Sequence, residues 1–268
     1  MDDAPFDLGR LGGRRGLDLL VDEVLAAGDL ALGMQRDVLR GEGIERKADA
    51  SPVTVADRAV EERLRAHVAA HHPEAGWLGE ETGRAGEGAA LRFVVDPIDG
   101  TRAFLRGLAT WSVLVAVEAE GEPVVGIAYL PAAGDLFVGV RGGGAYANGR
   151  PCRLSSVDAL GEALVSHGAL AQFTDVGLEA ALPALARGTY TQRGFADFAG
   201  YAALLRGQAD AVVDPGVQPY DVAPAAVLVR EAGGRATDLR GVPTVHGEGF
   251  VASNGLLHDA LLALVGPG

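Results

Sequence analysis

Apolar residues recur at helical spacing from the start of the chain. Leu17, Leu20, Val21, Val24 and Leu25 form one stripe, and the pattern predicts an amphipathic helix over residues 17–39. A second stripe of Ala56, Ala59, Val60, Leu64 and Val68 predicts a helix over residues 54–71, closed by Pro73. The period then changes. Short strand-like runs at 77–78, 92–95, 112–118, 124–129, 136–141 and 145–147 are separated by turn signals such as Gly121-Glu122-Pro123, Pro131-Ala132-Ala133-Gly134 and Gly142-Gly143-Gly144. Loops this short predict an antiparallel meander. Beyond about Ser155, strands and helices take turns. The strands are expected at 163–166, 211–214, 235–237 and 250–252, and the helices at 176–186, 198–205, 222–232 and 256–265. The change of rhythm predicts two parts: an α+β half over residues 1–155 and an α/β half over 156–268.

Composition narrows the function classes. At 268 residues, with 48% hydrophobic and 22% charged side chains, the chain is expected to bury a substantial core. No apolar run approaches the roughly 20 residues that span a bilayer, so no membrane partner is expected. The net charge of −13, from 23 basic against 36 acidic residues, leaves no counterion-release drive toward nucleic acid. A lone cysteine, Cys152, excludes an internal disulfide. With an acidic start where a secretory signal would be basic and then apolar, it fits a cytoplasmic protein.

Part of the acidic surplus is gathered in motifs. In Phe93-Val94-Val95-Asp96-Pro97-Ile98-Asp99-Gly100-Thr101 a buried strand runs into Pro97, which ends the ladder and leaves Asp96 and Asp99 projecting from a tight turn. Two carboxylates three residues apart can share cations. Gly100 admits a ligand close to the backbone, and a helix opening at Thr101 offers free N–H groups to an anion, so Gly100 and Thr101 are candidate phosphate contacts. Other acids stand in Gly79-Glu80-Glu81-Thr82, in Tyr220-Asp221, and at Asp57 after Ser51-Pro52-Val53-Thr54. Singly, each has a plainer reading: a turn at Asp99-Gly100, a surface charge at Glu80, an N-cap at Asp221.

Together, in this order and spacing, these motifs resemble the inositol monophosphatase superfamily. Gly79-Glu80-Glu81, Asp96-Pro97-Ile98-Asp99-Gly100-Thr101, and Tyr220-Asp221-Val222-Ala223 followed by Glu231-Ala232-Gly233-Gly234 carry the resemblance. It implies a layered α-β-α-β-α sandwich, with an antiparallel sheet in the first half and a mixed sheet in the second. It also implies hydrolysis of a phosphate monoester by metal-activated water, with two or three Mg²⁺ ions per site. Glu80, Asp96, the Ile98 carbonyl, Asp99 and Asp221 resemble the metal ligands. Asp57 and Thr101 resemble the pair that positions and deprotonates the attacking water, and Glu80 counts in the catalytic set as well. Relatives are commonly dimers, so a homodimer is expected.

The substrate side resembles the histidinol-phosphatase branch. Arg102-Ala103-Phe104 stands where inositol phosphatases have Thr-Asn-Phe, and Asp197-Phe198-Ala199-Gly200-Tyr201 is similar to a segment of that branch, with Ala196 replacing a glycine. Asp197 and Asp214 are expected to face the leaving alcohol, where carboxylates favour an ammonium or imidazolium over a neutral polyol. Arg102 is a candidate clamp for phosphate or partner for an acid. The reading is histidinol phosphate, in histidine biosynthesis, ahead of inositol 1-phosphate or a broad sugar phosphatase. A non-catalytic metal- or phosphate-binding regulator would need a broken site, and every motif residue is present.

Overall fold

A long helix, α1 (Gly13–Leu39), opens the fold after a 3-10 turn capped by Asp7. The structure, a computed structural model, describes residues 4–46, 52–195 and 197–266; Ser51 and Ala196 of the motifs above lie outside them. A small hairpin, β1 (Ile44–Arg46) and β2 (Pro52–Thr54), leads into α2 (Val55–His71). Thr54 caps α2, its hydroxyl accepting the Ala56 N–H at 3.1 Å while its own N–H donates to Asp57 Oδ2 at 2.8 Å.

The next elements are β3 (Gly76–Gly79), β4 (Gly83–Ala85), β5 (Leu91–Asp99), the single-turn helix α3 (Thr101–Phe104), β6 (Ser112–Ala119), β7 (Glu122–Leu130), β8 (Asp135–Val140), β9 (Gly144–Ala147) and β10 (Arg150–Pro151). The strands form one sheet in the order β10-β9-β8-β7-β6-β5-β3-β4. It is antiparallel from β10 to β5, as the short turns require, but β3 and β5 are parallel. The expected pure meander is corrected there. The β3–β4 hairpin is complete before the chain crosses back and lays β5 on the other side of β3.

The second half contains β11 (Leu164–His167), α4 (Leu170–Asp175), α5 (Ala181–Gly188), β12 (Thr191–Arg193), α6 (Asp197–Leu205), β13 (Ala211–Pro215), α7 (Pro219–Glu231), β14 (Arg235–Thr237), β15 (Gly249–Ser253) and α8 (His258–Val265). Its sheet, β12-β11-β13-β15-β14, is mixed, with β11 parallel to both neighbours and β15 antiparallel to both of its own. The helix expected over 176–186 is α5, which begins only at Ala181, and α4 is an additional short helix before it. Gly177, between them at φ +73°, takes a left-handed conformation that no helix continues through.

Burial on both faces explains the near-continuous apolar runs of β5 and β6. Phe93, Val95, Val113, Val115 and Val117 pack with α1 and α2, whereas Val94, Leu114 and Ala116 pack with α6 and α7. A third cluster, including Val165, Val213, Val251, Leu185 and Leu261, joins the far face of the smaller sheet to α5 and α8. The layers are therefore α-β-α-β-α. Helix α7 sits so close to the large sheet that a Cβ on Gly126 would lie 2.5 Å from the Pro224 carbonyl oxygen. Among the described residues no helix is long and apolar enough to cross a membrane.

Candidate active site

Strand β5 does not end at Pro97, as the sequence suggested. Asp96 pairs with Leu114 and Asp99 with Ser112, so three steps on β5 answer two on β6 and one residue bulges out. Proline supplies no N–H there, yet pairing resumes at Asp99. The bulge aims both carboxylates. Asp96 Oδ1 accepts the Ile98 N–H at 3.1 Å, and Asp99 Oδ2 accepts the Ser112 hydroxyl at 2.8 Å and the Phe198 N–H at 2.7 Å. Gly100 follows at φ +80°, and a Cβ there would lie 2.7 Å from Asp197 Oδ2. Only glycine suits both demands. Helix α3 is one turn long, so it offers free N–H groups but little dipole.

Around this turn lies a cavity of about 210 Å³ lined by six carboxylic acids, Glu80, Asp96, Asp99, Asp197, Asp214 and Asp221, together with Ile98, Gly100, Thr101 and Arg102. They arrive from five elements or turns. Glu80 follows β3, Asp96 and Asp99 end β5, Asp197 begins α6, Asp214 lies in β13, and Asp221 is in the first turn of α7, where its Oδ2 accepts the Gln218 N–H at 2.7 Å. Asp57 stands behind the wall. It is fully buried, its Oδ2 held by the Thr54 N–H and hydroxyl at 2.8 and 2.6 Å, and its Oδ1 lies 3.4 Å from Thr101 Oγ1. Thr101 has one proton to give, and the Ile98 carbonyl oxygen, at 3.1 Å, is the nearer acceptor.

So many buried acids cannot all stay ionised. Burial, with the charges of Glu80, Asp99 and Asp221, holds Asp96 well above the usual carboxylate range. Burial and the charges of Asp197 and Asp221 do the same to Asp99. Burial pushes Asp221 up to about 7 against the pull of the Gln218 N–H, and Asp214 up to about 7 against the Tyr201 hydroxyl. Asp57 and Asp197 are raised by burial too, the first opposed by Thr54 and the second by the Arg102 charge. Glu80 and Asp221 both stand close enough to Asp96 to act on its carboxyl.

Among the described residues no group of three or more His, Cys, Asp or Glu already stands in place to hold an ion. The donor chemistry nevertheless fits a hard divalent cation, since every group is an oxygen donor and a cation would offset the crowding that raises these carboxyls.

The structure thus brings together every sequence-predicted site residue except Asp57, which reaches the cavity through Thr101. Arg102 lies at the exposed rim, near enough for its charge to act on Asp197. Two polar side chains of the wall escaped the sequence reading as contacts. Tyr201, wholly buried, donates to Asp214 Oδ2 at 2.6 Å, and Gln172 comes from α4. Tyr201 had a motif to announce it; Gln172 had none. Cys152 is a bystander, half-buried outside the cavity, its thiol pushed up to about 11 by burial.

A pocket of acids from both sheets and the layer between them thus closes on an amide-rich turn. The chain matches the profile of the inositol monophosphatase family over residues 18–266, and it belongs to that family. It is 40% identical to a histidinol-phosphatase of Mycobacterium tuberculosis over 230 residues, 84% of this chain and 88% of that one. With a histidinol-phosphatase of Streptomyces coelicolor it shares 35% identity over 254 residues, 91% of this chain and 95% of that one. Among solved structures, the extragenic suppressor protein suhB of Bartonella henselae superposes with a TM-score of 0.86 at 28% identity, covering 94% and 98% of the two chains. The chain is a phosphatase, a phosphoric monoester hydrolase.

Proposed function

We propose that this phosphatase depends on Mg²⁺ and hydrolyses histidinol phosphate, in histidine biosynthesis. The observation that carries the reading is the convergence of Glu80, Asp96, Asp99 and Asp221 on one cavity beside Thr101 and Gly100. These four, with the Ile98 carbonyl, are the groups that would hold two or three ions. Mg²⁺ bound there would offset the carboxylate charge, polarise the phosphoryl oxygens and make a water more acidic.

The chain's own residues do the positioning. The Gly100 and Thr101 amides donate to phosphoryl oxygens, and the bare Gly100 Cα lets the ester approach. Thr101 Oγ1 orients the attacking water. Once the Ile98 carbonyl is otherwise engaged, the Thr101 proton is free to turn to Asp57 Oδ1, which Thr54 leaves open by holding Oδ2. Burial makes Asp57 a stronger proton acceptor than an exposed carboxylate, as this relay requires. Attack by water is direct, with no phosphoenzyme.

Asp197 and Asp214 serve the leaving alcohol. Asp214 Oδ1 is buried and lacks a hydrogen-bond partner, so an ammonium N–H would satisfy it where a neutral ring would gain less. Arg102 sits at the rim to meet phosphate or to hold Asp197. Comparing kcat/KM on histidinol phosphate, inositol 1-phosphate and fructose 1,6-bisphosphate tests the assignment. It predicts the first as the best substrate, and a preference for either of the others contradicts it. We further propose a cytoplasmic homodimer. Light scattering should then return about twice the 27.5 kDa chain mass, and a monomer at micromolar concentration contradicts it.

A further inference from the structure

Helix α2 carries two acids one turn apart on the same face, and the roles above use only Asp57. The other, Glu61, is 0% exposed. Its Oε2 accepts the Glu81 N–H at 2.8 Å, and its Oε1 accepts the Thr82 N–H at 2.9 Å and the Thr82 hydroxyl as well. The Thr82 oxygen in turn accepts the Trp77 Nε1–H at 3.0 Å. These bonds are spent on the two residues that follow Glu80. On its other side the Glu80 N–H donates to the Val95 carbonyl of β5 at 3.1 Å. The peptide that carries Glu80 is therefore pinned between β5 and α2. Gly79 shows how tightly: a Cβ there would lie 2.1 Å from Glu61 Oε1 and 2.6 Å from Trp77 Nε1. The residue before Glu80 has given up its side chain to admit the Glu61 carboxylate.

We infer that Glu61 is a positioning residue of the site, clamping the Glu81 and Thr82 amides so that Glu80 is held in place in the carboxylate cavity. The inference rests on the reading of Glu80 as a metal ligand. A single rigid helix then sets both Asp57, behind Thr101, and the strand end that presents Glu80. Hydrogen-bonded supports of this kind commonly govern metal affinity at a distance from the ion.

The test is Glu61→Gln in the full-length chain. The amide keeps the size of the side chain but turns one acceptor into a donor facing an N–H. Mg²⁺ binding is read from the rise in Tm on titration with Mg²⁺ and from Mn²⁺ electron paramagnetic resonance, beside kcat at saturating Mg²⁺. The expected result is a half-saturating Mg²⁺ concentration raised about 10- to 100-fold, with kcat recovered at high Mg²⁺. A variant with lowered Tm but wild-type metal affinity would show Glu61 to be structural only and overturn the inference. Should Glu61→Gln fail to fold, Thr82→Val removes one of the clamping bonds and Thr82→Ser restores it. Affinity must then fall in the first and return in the second, and unchanged affinity in Thr82→Val overturns the inference. A wild-type protein that binds no Mg²⁺ at all would instead sink the reading of the cavity beneath it.

Discussion

Asp214→Asn probes the cost of burying an acid at the site. In the folded protein Asp214 titrates at about 7, against an ordinary 3.8, because burial disfavours its charge more than the Tyr201 hydroxyl favours it. A carboxyl raised in this way binds its proton more tightly in the folded than in the unfolded chain. Stability is therefore present at low pH and is lost as pH rises from about 4 to about 7. Between pH 5 and pH 7 the folded protein gives up a proton that the unfolded chain has already lost. At about 1.4 kcal/mol per pH unit, this single group costs roughly 3 kcal/mol over that interval. Asparagine removes the titration and still offers the Tyr201 hydroxyl an oxygen. Urea unfolding in EDTA at pH 5 and pH 8 should show wild type and variant moving apart by about 3 kcal/mol in the variant's favour at the higher pH. The other buried acids are common to both proteins, but Asp221 feels the Asp214 charge and Asp197 acts on it, so the measured difference includes their response. The same substitution should lower kcat/KM on histidinol phosphate at least tenfold, about the worth of one hydrogen bond to a charged group. Parallel pH profiles for the two proteins would refute the argument.

Three further substitutions probe separate parts of the structure. Asp99→Asn should lower turnover by roughly a thousandfold or more while unfolding stays cooperative, since the amide oxygen can still accept from Ser112 and Phe198; an active variant removes Asp99 from the metal set. Thr101→Val keeps the side-chain shape and removes the hydroxyl, so kcat should fall by about 10² to 10⁴ with little change in Tm, and full activity would exclude the Thr101 to Asp57 relay. Gly126→Ala drives a methyl against the Pro224 carbonyl and should destabilise by about 1–3 kcal/mol in urea; an unchanged midpoint would mean that α7 can give way there.

The site was legible in the sequence where its geometry is local. Asp96 to Thr101 are consecutive residues across the bulged end of β5, and their spacing alone brings two acids and a bare glycine together. The bulge was not legible, because it belongs to the register between β5 and β6 and not to either strand alone. Nor was the parallel β3–β5 pair, since a short loop constrains neighbours in sequence and says nothing of a strand laid back across a finished hairpin. Apolar periodicity found α1, α2, α6 and α7 because each buries a stripe or more. It passed over α4, six residues long with Phe173 its one buried residue, and so missed Gln172. Nothing in the sequence singles out Glu61, because its partners are an amide pair twenty residues away.

Phosphate release from histidinol phosphate, with Mg²⁺ and after its removal by EDTA, tests most directly whether the gathered carboxylates are a cation-dependent catalytic pocket. The account predicts release that vanishes with EDTA and returns when Mg²⁺ is restored. Undiminished release in EDTA, or none with Mg²⁺ on this or any other small ester, would contradict it.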